Sequence, residues 1–473
     1  MTSTVPLDLD HATMRLLGHR VADVVADHLA SLRRQPVITG VSRRAADELL
    51  LRPAPVKGTD FDSLLNTLRD TVFANHAREP HPGFMAYVPS CPTFPAVLGD
   101  WLATGFNFFA GVWPVASGPN ELEVVVLDWF REWLGMPAGT GGLLTSGGSG
   151  ANLTAVIAAR HAAVGDDPDR LARLVMYTSD QAHSSVTRAG WIAGIPRSHI
   201  RSIPTDIDLR LRPDALAAQL RDDRAAGLIP FLIVANAGTT NTGAVDPLDE
   251  LADLCSRESL WLHVDAAYGG FAVLTDRGKA ALAGLGRAHS VTLDPHKWLF
   301  MPFECGCLLV RNPRALAEAF RIYPEYLKDV ESRGEEINFA DYGEQLTRYS
   351  RALKVWLAVS YFGTAALGDA IGTGMDLAAH AERIVRADSD LEVLSPAQFG
   401  ICCFRARGRG LMPSALDALN ERILTRVNNG GRYFISSTRL RGAYSLRICV
   451  LGFRTTRDDV EGLIGEVSRY AKE

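Results

Sequence analysis

The chain has 473 residues, 47% hydrophobic and 22% charged, with a formal net charge of −5. Such a length exceeds one ordinary domain and suits a large α/β domain with smaller appendages around a sizeable core. The mild acidity excludes the basic stripe of a nucleic-acid binder, and neither a signal-peptide pattern nor an apolar stretch near membrane-span length is visible.

Residues 10–34 place Leu16, Leu17, Val21, Val24, Val25 and Leu29 on one side of a helix that Pro36 ends, and 61–76 predicts a second helical piece. Neither is self-sufficient, so residues 1–80 read as a helical arm that packs on something else, such as a partner subunit. In 81–95 (HPGFMAYVPSCPTFP) four prolines among aromatic residues oppose regular structure. This rigid loop is either plain core packing or a wall of an apolar substrate pocket. The stretch 106–113 (FNFFAGVW), ending in Trp113, reads the same way. Residues 121–134 form an amphipathic helix closed by Gly135 and Pro137.

From Gly141 onward strands are expected at 143–145, 174–178, 200–203, 231–235, 261–265, 291–293 and 307–310. Helical patterns lie between many of them, at 151–163, 184–193, 213–226 and 247–258, and Pro213 and Pro247 suit first helical turns. Alternation of this kind makes βαβ units and a mostly parallel seven-stranded sheet, which binds ligands at the carboxyl ends of its strands. Residues 314–326 look helical, and the charged segment 328–338, without apolar periodicity, is expected to be a mobile loop. A long helix starts within 346–361. The last part is a small α+β domain with a helix around 376–387, strands near 401–405 and 445–450, and a final helix from Asp458. The division is therefore 1–80, 81–362 and 363–473. Seven cysteines show neither C-x-x-C nor zinc spacing, so no metal is expected, and free thiols in a reducing cytoplasm are.

The chemistry-bearing stretch is 290–298 (SVTLDPHKW), a short buried strand followed by Lys297. Desolvation beside apolar residues is expected to lower the lysine pKa, and a neutral amine is what a carbonyl needs to form a Schiff base. Residues 145–152 (TSGGSGAN) offer Gly147, Gly148 and Ser149 at a helix start, a phosphate cradle lacking the dinucleotide and nucleotide-triphosphate fingerprints. Asp265, at a strand end in LHVDAAYGG, needs a partner for its buried charge, and a protonated pyridine nitrogen would be one. At about 3 Å and an effective dielectric of about 20 that attraction is on the order of 5 kcal/mol. Ala267 leaves room for a flat ring. His183, in SDQAHSS, is placed to stack on such a ring or to act as a helix cap, and Thr240, in GTTNT, to hydrogen-bond it.

In this order these segments resemble the pyridoxal-phosphate-dependent group II amino acid decarboxylases, with the greatest likeness to the aromatic-L-amino-acid decarboxylases. The likeness runs from His81 through TSGGSGAN, DQAHSS, LHVDAAYGG and DPHKW to 434–454. It implies the aspartate-aminotransferase-like fold type I and a homodimer with shared active sites. It further implies that Lys297 is the Schiff-base lysine and Asp265 the pyridinium partner. His183 and Ala267 would face the ring, and Gly148, Ser149, Asp294 and His296 would surround the phosphate. Tyr326 would be the proton donor on a mobile loop. Tyr87, Val88 and Pro89, with Phe109 and Gly111 from the neighbouring subunit, match substrate-pocket positions, and Phe303 would approach the phosphate from the partner chain. Three residues depart from the family pattern: Gly150 replaces a usual glutamate, Asp294 a frequent asparagine, and Gly111 a frequent bulky aromatic. The last hints at a larger side chain in the substrate. The expected reaction turns an L-amino acid of tryptophan, phenylalanine or tyrosine type into its amine and carbon dioxide. The alternatives are an aldehyde synthase or another carbon–carbon lyase on the same fold, an aminotransferase using Arg447, or a cofactor-binding scaffold without turnover.

Overall fold

The computed structural model describes residues 7–322 and 335–473. Its first helices are α1 (His11–Ser31), α2 (Arg43–Leu50) and α3 (Phe61–Thr67). Each begins on a side-chain cap: Asp10 accepts from the Thr13 amide, Ser42 from Ala45 and Asp60 from Ser63. None of the three buries a residue. α2 is absent from the sequence expectation, and the second expected piece continues past α3 as a π-helical segment, Leu68–Phe73.

The proline-rich stretch does hold regular structure, contrary to expectation. β1 (Phe84–Met85) lies within it, and α4 (Phe94–Phe106) carries Pro95 in its first turn, where a missing N–H breaks no helical bond. α5 (Trp113–Trp133) starts well before the expected residue 121, with a non-helical break at Ala116 ahead of Pro119.

The main sheet holds β2 (Gly141–Thr145), β3 (Leu174–Ser179), β4 (Ile200–Ile203), β5 (Ile229–Asn236), β6 (Trp261–Asp265), β7 (Ser290–Leu293) and β8 (Gly306–Val310). Among the described residues its order is β2-β8-β7-β6-β5-β3-β4. β8 runs antiparallel to both its neighbours, and the other pairs are parallel. Between the strands lie α6 (Gly148–Val164), α7 (Pro168–Leu171), α8 (Ser184–Ile192), α9 (Pro213–Ala225), α10 (Leu248–Glu258), α11 (Asp276–Ala281), α12 (Pro295–Trp298) and, after β8, α13 (Arg314–Phe320). β3 is buried at every residue, as a strand covered on both faces must be. Pro213 opens α9, whereas Pro247 stands just outside α10 as its N-cap. Residues 323–326 of the expected helix, with Tyr326, lie outside the described residues, as does the 328–334 part of the expected loop.

The remaining elements are α14 (Ala352–Ala387), β9 (Leu391–Gln398), β10 (Ile401–Ala406), α15 (Pro413–Asn429), β11 (Phe434–Leu440), β12 (Ala443–Cys449) and α16 (Arg457–Lys472). β9, β11 and α15 were not expected. The second sheet runs β1-β11-β12-β10-β9, so Phe84–Met85, far upstream in the chain, joins it by pairing parallel to β11. α14 is long and apolar enough, by length and composition alone, to cross a membrane, which corrects the expectation that no stretch approaches that length. It breaks at Gly363 (φ 75°) and buries residues from Ala352 to Val385, packing against α4, α5, β9 and β10. Its buried Lys354 ammonium sits 3.0 Å from Asp100 and donates to the Pro302 and Glu304 carbonyls.

Under the main sheet, Arg348 and Glu123 form an ion pair with both side chains 1% exposed. The guanidinium also donates to the Ala110 and Leu144 carbonyls, and the carboxylate accepts from the Leu144 amide. The pair joins the start of the sheet to the loop before α5.

Candidate active site

Strand ends of the main sheet open onto one cavity of about 350 Å³. Its walls hold Gly147, Gly148 and Ser149 after β2, His183 after β3, Thr240 after β5, Asp265 and Ala267 at the end of β6, and Asp294, His296 and Lys297 after β7. The sequence names all of these. Phe303 stands apart, 56% exposed, its ring 5.0 Å from that of His296. Tyr87, Val88, Pro89, Phe109, Gly111 and Trp113 do not line the cavity either. A larger hollow of about 750 Å³ opens at the amino ends of the strands, beside Arg170, Trp261, Arg287, His289 and Arg311. Among the described residues no carboxylate or lysine lines it, so the chemistry belongs to the smaller one.

The anion cradle follows from small residues. Gly147 caps α6 without a side chain, which leaves the first-turn N–H groups facing outward. A Cβ on Gly148 would fall 2.9 Å from Asp294 Oδ2 and 3.2 Å from Ala267 Cβ. At Gly150 a Cβ would meet only Ser146 Oγ at 3.6 Å and Thr145 Cβ at 3.8 Å, so nothing in the structure requires glycine there.

Lys297 sits in the single turn of α12, its Nζ 2.8 Å from Asp294 Oδ2. Burial pushes the amine down, but the Asp294 carboxylate outweighs it, with Asp265 adding to the field, and the lysine stays above its ordinary value. The expected depression is thereby corrected: a carboxylate at the N-cap of α12 reverses the effect of desolvation. The other Asp294 oxygen is buried with no hydrogen-bond partner among the described residues. His296 Nδ1 lies 2.7 Å from the Cys305 carbonyl, so this nitrogen carries a proton, and burial holds the imidazole below its ordinary value. Its Nε2 becomes a donor only on protonation.

Asp265 is 8% exposed. One oxygen accepts from the Ala267 amide at 3.1 Å and the other from Asn152 Nδ2 at 3.0 Å. The same Asn152 Nδ2 donates to Ser185 Oγ at 3.0 Å, and that hydroxyl lies 2.7 Å from His183 Nδ1. His183 is also the N-cap of α8, accepting from the Ser185 amide at 3.3 Å. Its Nδ1 is therefore an acceptor, and the imidazole proton sits on Nε2. Burial lowers its pKa, so it is neutral at neutral pH. The sequence names neither Asn152 nor Ser185 as a site residue, although both stand in motifs already singled out.

Two further residues lie outside the cavity wall. A Cβ on Gly111 would fall 2.4 Å from the Leu346 carbonyl, so close backbone packing by itself accounts for this glycine. Arg447, 3% exposed, donates to the carbonyls of Asn241, Tyr87 and Thr240 and to Ser436 Oγ. With every guanidinium nitrogen engaged, it is not a free carboxylate receptor.

These residues fit pyridoxal phosphate. Lys297 supplies an amine for its aldehyde, Asp265 a carboxylate for its ring nitrogen, and the side-chain-free start of α6 a seat for its phosphate. Residues 45–407 match the family described as the pyridoxal-dependent decarboxylase conserved domain. The chain is 40% identical over 469 residues to an aromatic-L-amino-acid decarboxylase of Bacillus atrophaeus, covering 99% of this chain and 97% of that one. Among solved structures it is similar to the tryptophan decarboxylase of Catharanthus roseus in complex with L-tryptophan, with TM-score 0.92, 30% identity and coverage of 98% of this chain and 99% of that one. It is likewise similar to Oryza sativa TDC with pyridoxal phosphate and tryptamine, with TM-score 0.94, 30% identity and 99% coverage of both chains. Sheet, cavity and sequence agree: the chain belongs to the pyridoxal-dependent decarboxylase family, has fold type I, and is a pyridoxal-phosphate-dependent carboxy-lyase.

Proposed function

We propose that the chain decarboxylates an aromatic L-amino acid, of tryptophan, phenylalanine or tyrosine type, to its amine and carbon dioxide. The observation that carries this is Lys297 and Asp265 on one cavity with His183, in a chain similar to decarboxylases named for aromatic substrates.

Bound pyridoxal phosphate supplies the electron sink for the pair left behind when carbon dioxide departs. Lys297 would anchor the cofactor through its amine, and Asp265 would face its ring nitrogen and favour the protonated form. His183 presents its Nε2–H to the substrate carboxylate. Asp294, 2.8 Å from the Lys297 amine, would hold it as an ammonium whenever it is free. Tyr326, outside the described residues, is assigned the return of a proton to the carbon that lost carbon dioxide.

The protein works as a homodimer in this reading. The exposed aromatic rings of Phe303 and Tyr87, and an N-terminal arm without a buried residue in α1 to α3, support that assembly. Seven free cysteines, all buried, support a reducing compartment such as the cytoplasm.

The test is gas release from tryptophan, 5-hydroxytryptophan, phenylalanine, tyrosine and dihydroxyphenylalanine, with the amine and any peroxide measured alongside. Carbon dioxide with matching amine from at least one of them is expected. Release from none would overturn the substrate class, and aldehyde with peroxide would move the protein to the aldehyde synthases. Lys297→Ala should lose both turnover and the visible absorbance of bound cofactor.

A further inference from the structure

Asn152 is 1% exposed and stands in the first turns of α6, just beyond the anion cradle. All four of its amide positions are used. Nδ2 donates to Asp265 Oδ2 at 3.0 Å and to Ser185 Oγ at 3.0 Å. Oδ1 faces Thr292 Oγ1 at 2.7 Å and His263 Nε2 at 3.0 Å. A carbonyl oxygen only accepts, so both of those atoms donate. Rotating the amide would set its oxygen against the Asp265 carboxylate, so the orientation is fixed by charge.

The directions propagate outward from there. Burial takes the His263 imidazole down to about 4, so it is neutral and carries a single proton, which is on Nε2. Its Nδ1 is then an acceptor for the Ser290 hydroxyl 2.8 Å away, and that oxygen accepts in turn from the Trp261 indole N–H at 2.8 Å. Every bond from Trp261 through Ser290, His263 and Asn152 points the same way and ends on Asp265. The second branch leaves Asn152 through Ser185 and ends on His183 Nδ1 at 2.7 Å. Bonds aligned in this way polarise one another, and a buried network of this kind is strong only while every member is satisfied.

We propose that Asn152 is a positioning residue that sets two cofactor-facing groups at once, holding the Asp265 carboxylate toward the ring nitrogen and keeping the His183 proton on Nε2. This rests on the roles given to Asp265 and His183 above. Asn152 touches neither ring nor substrate in this assignment and acts through those two side chains.

Three variants test it: Asn152→Leu, which removes both branches at similar volume; Ser185→Ala, which cuts the His183 branch alone; and Thr292→Val, which removes one donor to Asn152. Each holoenzyme is titrated with pH while the visible band of pyridoxal phosphate is followed. Cofactor dissociation is measured by equilibrium dialysis, and kcat/KM is taken across pH. Asn152→Leu is expected to bind pyridoxal phosphate at least about tenfold more weakly, since a charged acceptor loses its buried donor, and to shift the pH response of the band. Ser185→Ala should move the pH profile of kcat/KM with much less change in cofactor affinity. Thr292→Val should shift the band in the direction of Asn152→Leu by less. An Asn152→Leu protein with wild-type affinity and band, or a Ser185→Ala protein with a wild-type pH profile, overturns the proposal. If Asn152→Leu does not fold, Ser185→Ala and Thr292→Val decide it by the same readouts, and wild-type behaviour in either overturns it. A wild-type protein with no visible band would sink the site assignment itself, whereas a normal wild type matched by normal variants defeats only the role of Asn152.

Discussion

Lys297 keeps its proton in the cofactor-free chain because Asp294 lies 2.8 Å away. The sign of the consequence is fixed. The stability gained from the pair is fully present below the ordinary lysine value of 10.5 and is lost only as pH rises through the higher folded value. Near neutral pH the same pair keeps the amine from reacting. Asp294→Asn should therefore speed uptake of pyridoxal phosphate by the cofactor-free protein at neutral pH, followed as growth of the visible band. An unchanged or slower uptake would show that another group holds the proton. Gly111 yields a second prediction. Gly111→Ala drives a methyl group to within 2.4 Å of the Leu346 carbonyl and should cost about 1–3 kcal/mol of stability by overpacking. A variant melting with the parent but accepting only smaller amino acids would restore the pocket reading. Both residues caught the eye in the sequence as departures, yet their meaning lay in neighbours 3 and 235 places along the chain (297 − 294; 346 − 111), and only the nearer one was in view.

Helix α6 shows what a single element tolerates. Gly150 has ordinary space around its missing Cβ, so Gly150→Ala should stabilise the protein by about 0.5–1 kcal/mol through helix propensity, measured by urea unfolding. The opposite holds where α5 meets the loop before α14. Glu123→Ala leaves the Arg348 guanidinium buried and unmatched and should cost about 3–5 kcal/mol, whereas Glu123→Leu with Arg348→Met should recover most of that. Equal losses in the single and double variants would mean that packing, not charge, dominates there. At this scale the main sheet was legible because its strands are covered on both sides and read as apolar runs, β3 and β8 above all. What escaped was masked by local chemistry. Pro396 lies inside β9, and β11 carries a polar run, Ser436 to Arg439, between its two buried residues, Ile435 and Leu440. The buried stripe of α15, Leu416, Ile423 and Val427, is interrupted by Asn420, whose amide is spent on the Ala406 backbone. The cavity walls were legible as motifs. The hydrogen-bond hub was not, because Asn152, Ser185, His263 and Thr292 are unremarkable until α6, α8, β6 and β7 are brought together.

For the whole molecule, the arm formed by α1 to α3 buries nothing, and Met14, Leu16, Trp101 and Phe106 remain exposed. Light scattering coupled to size exclusion should report twice the chain mass of 51.3 kDa, and a single-chain mass would remove the shared-site assembly. The two sheets are joined by α14, whose break at Gly363 has the look of a joint. Arg447 argues against free articulation there. Its guanidinium reaches from β12 to the Tyr87, Thr240 and Asn241 carbonyls, so a clamshell swing of the C-terminal lobe would strand a buried cation. The lobes should then melt in one calorimetric endotherm, and traffic of amino acid and amine should leave them docked, with the gateway made by shorter surface segments instead.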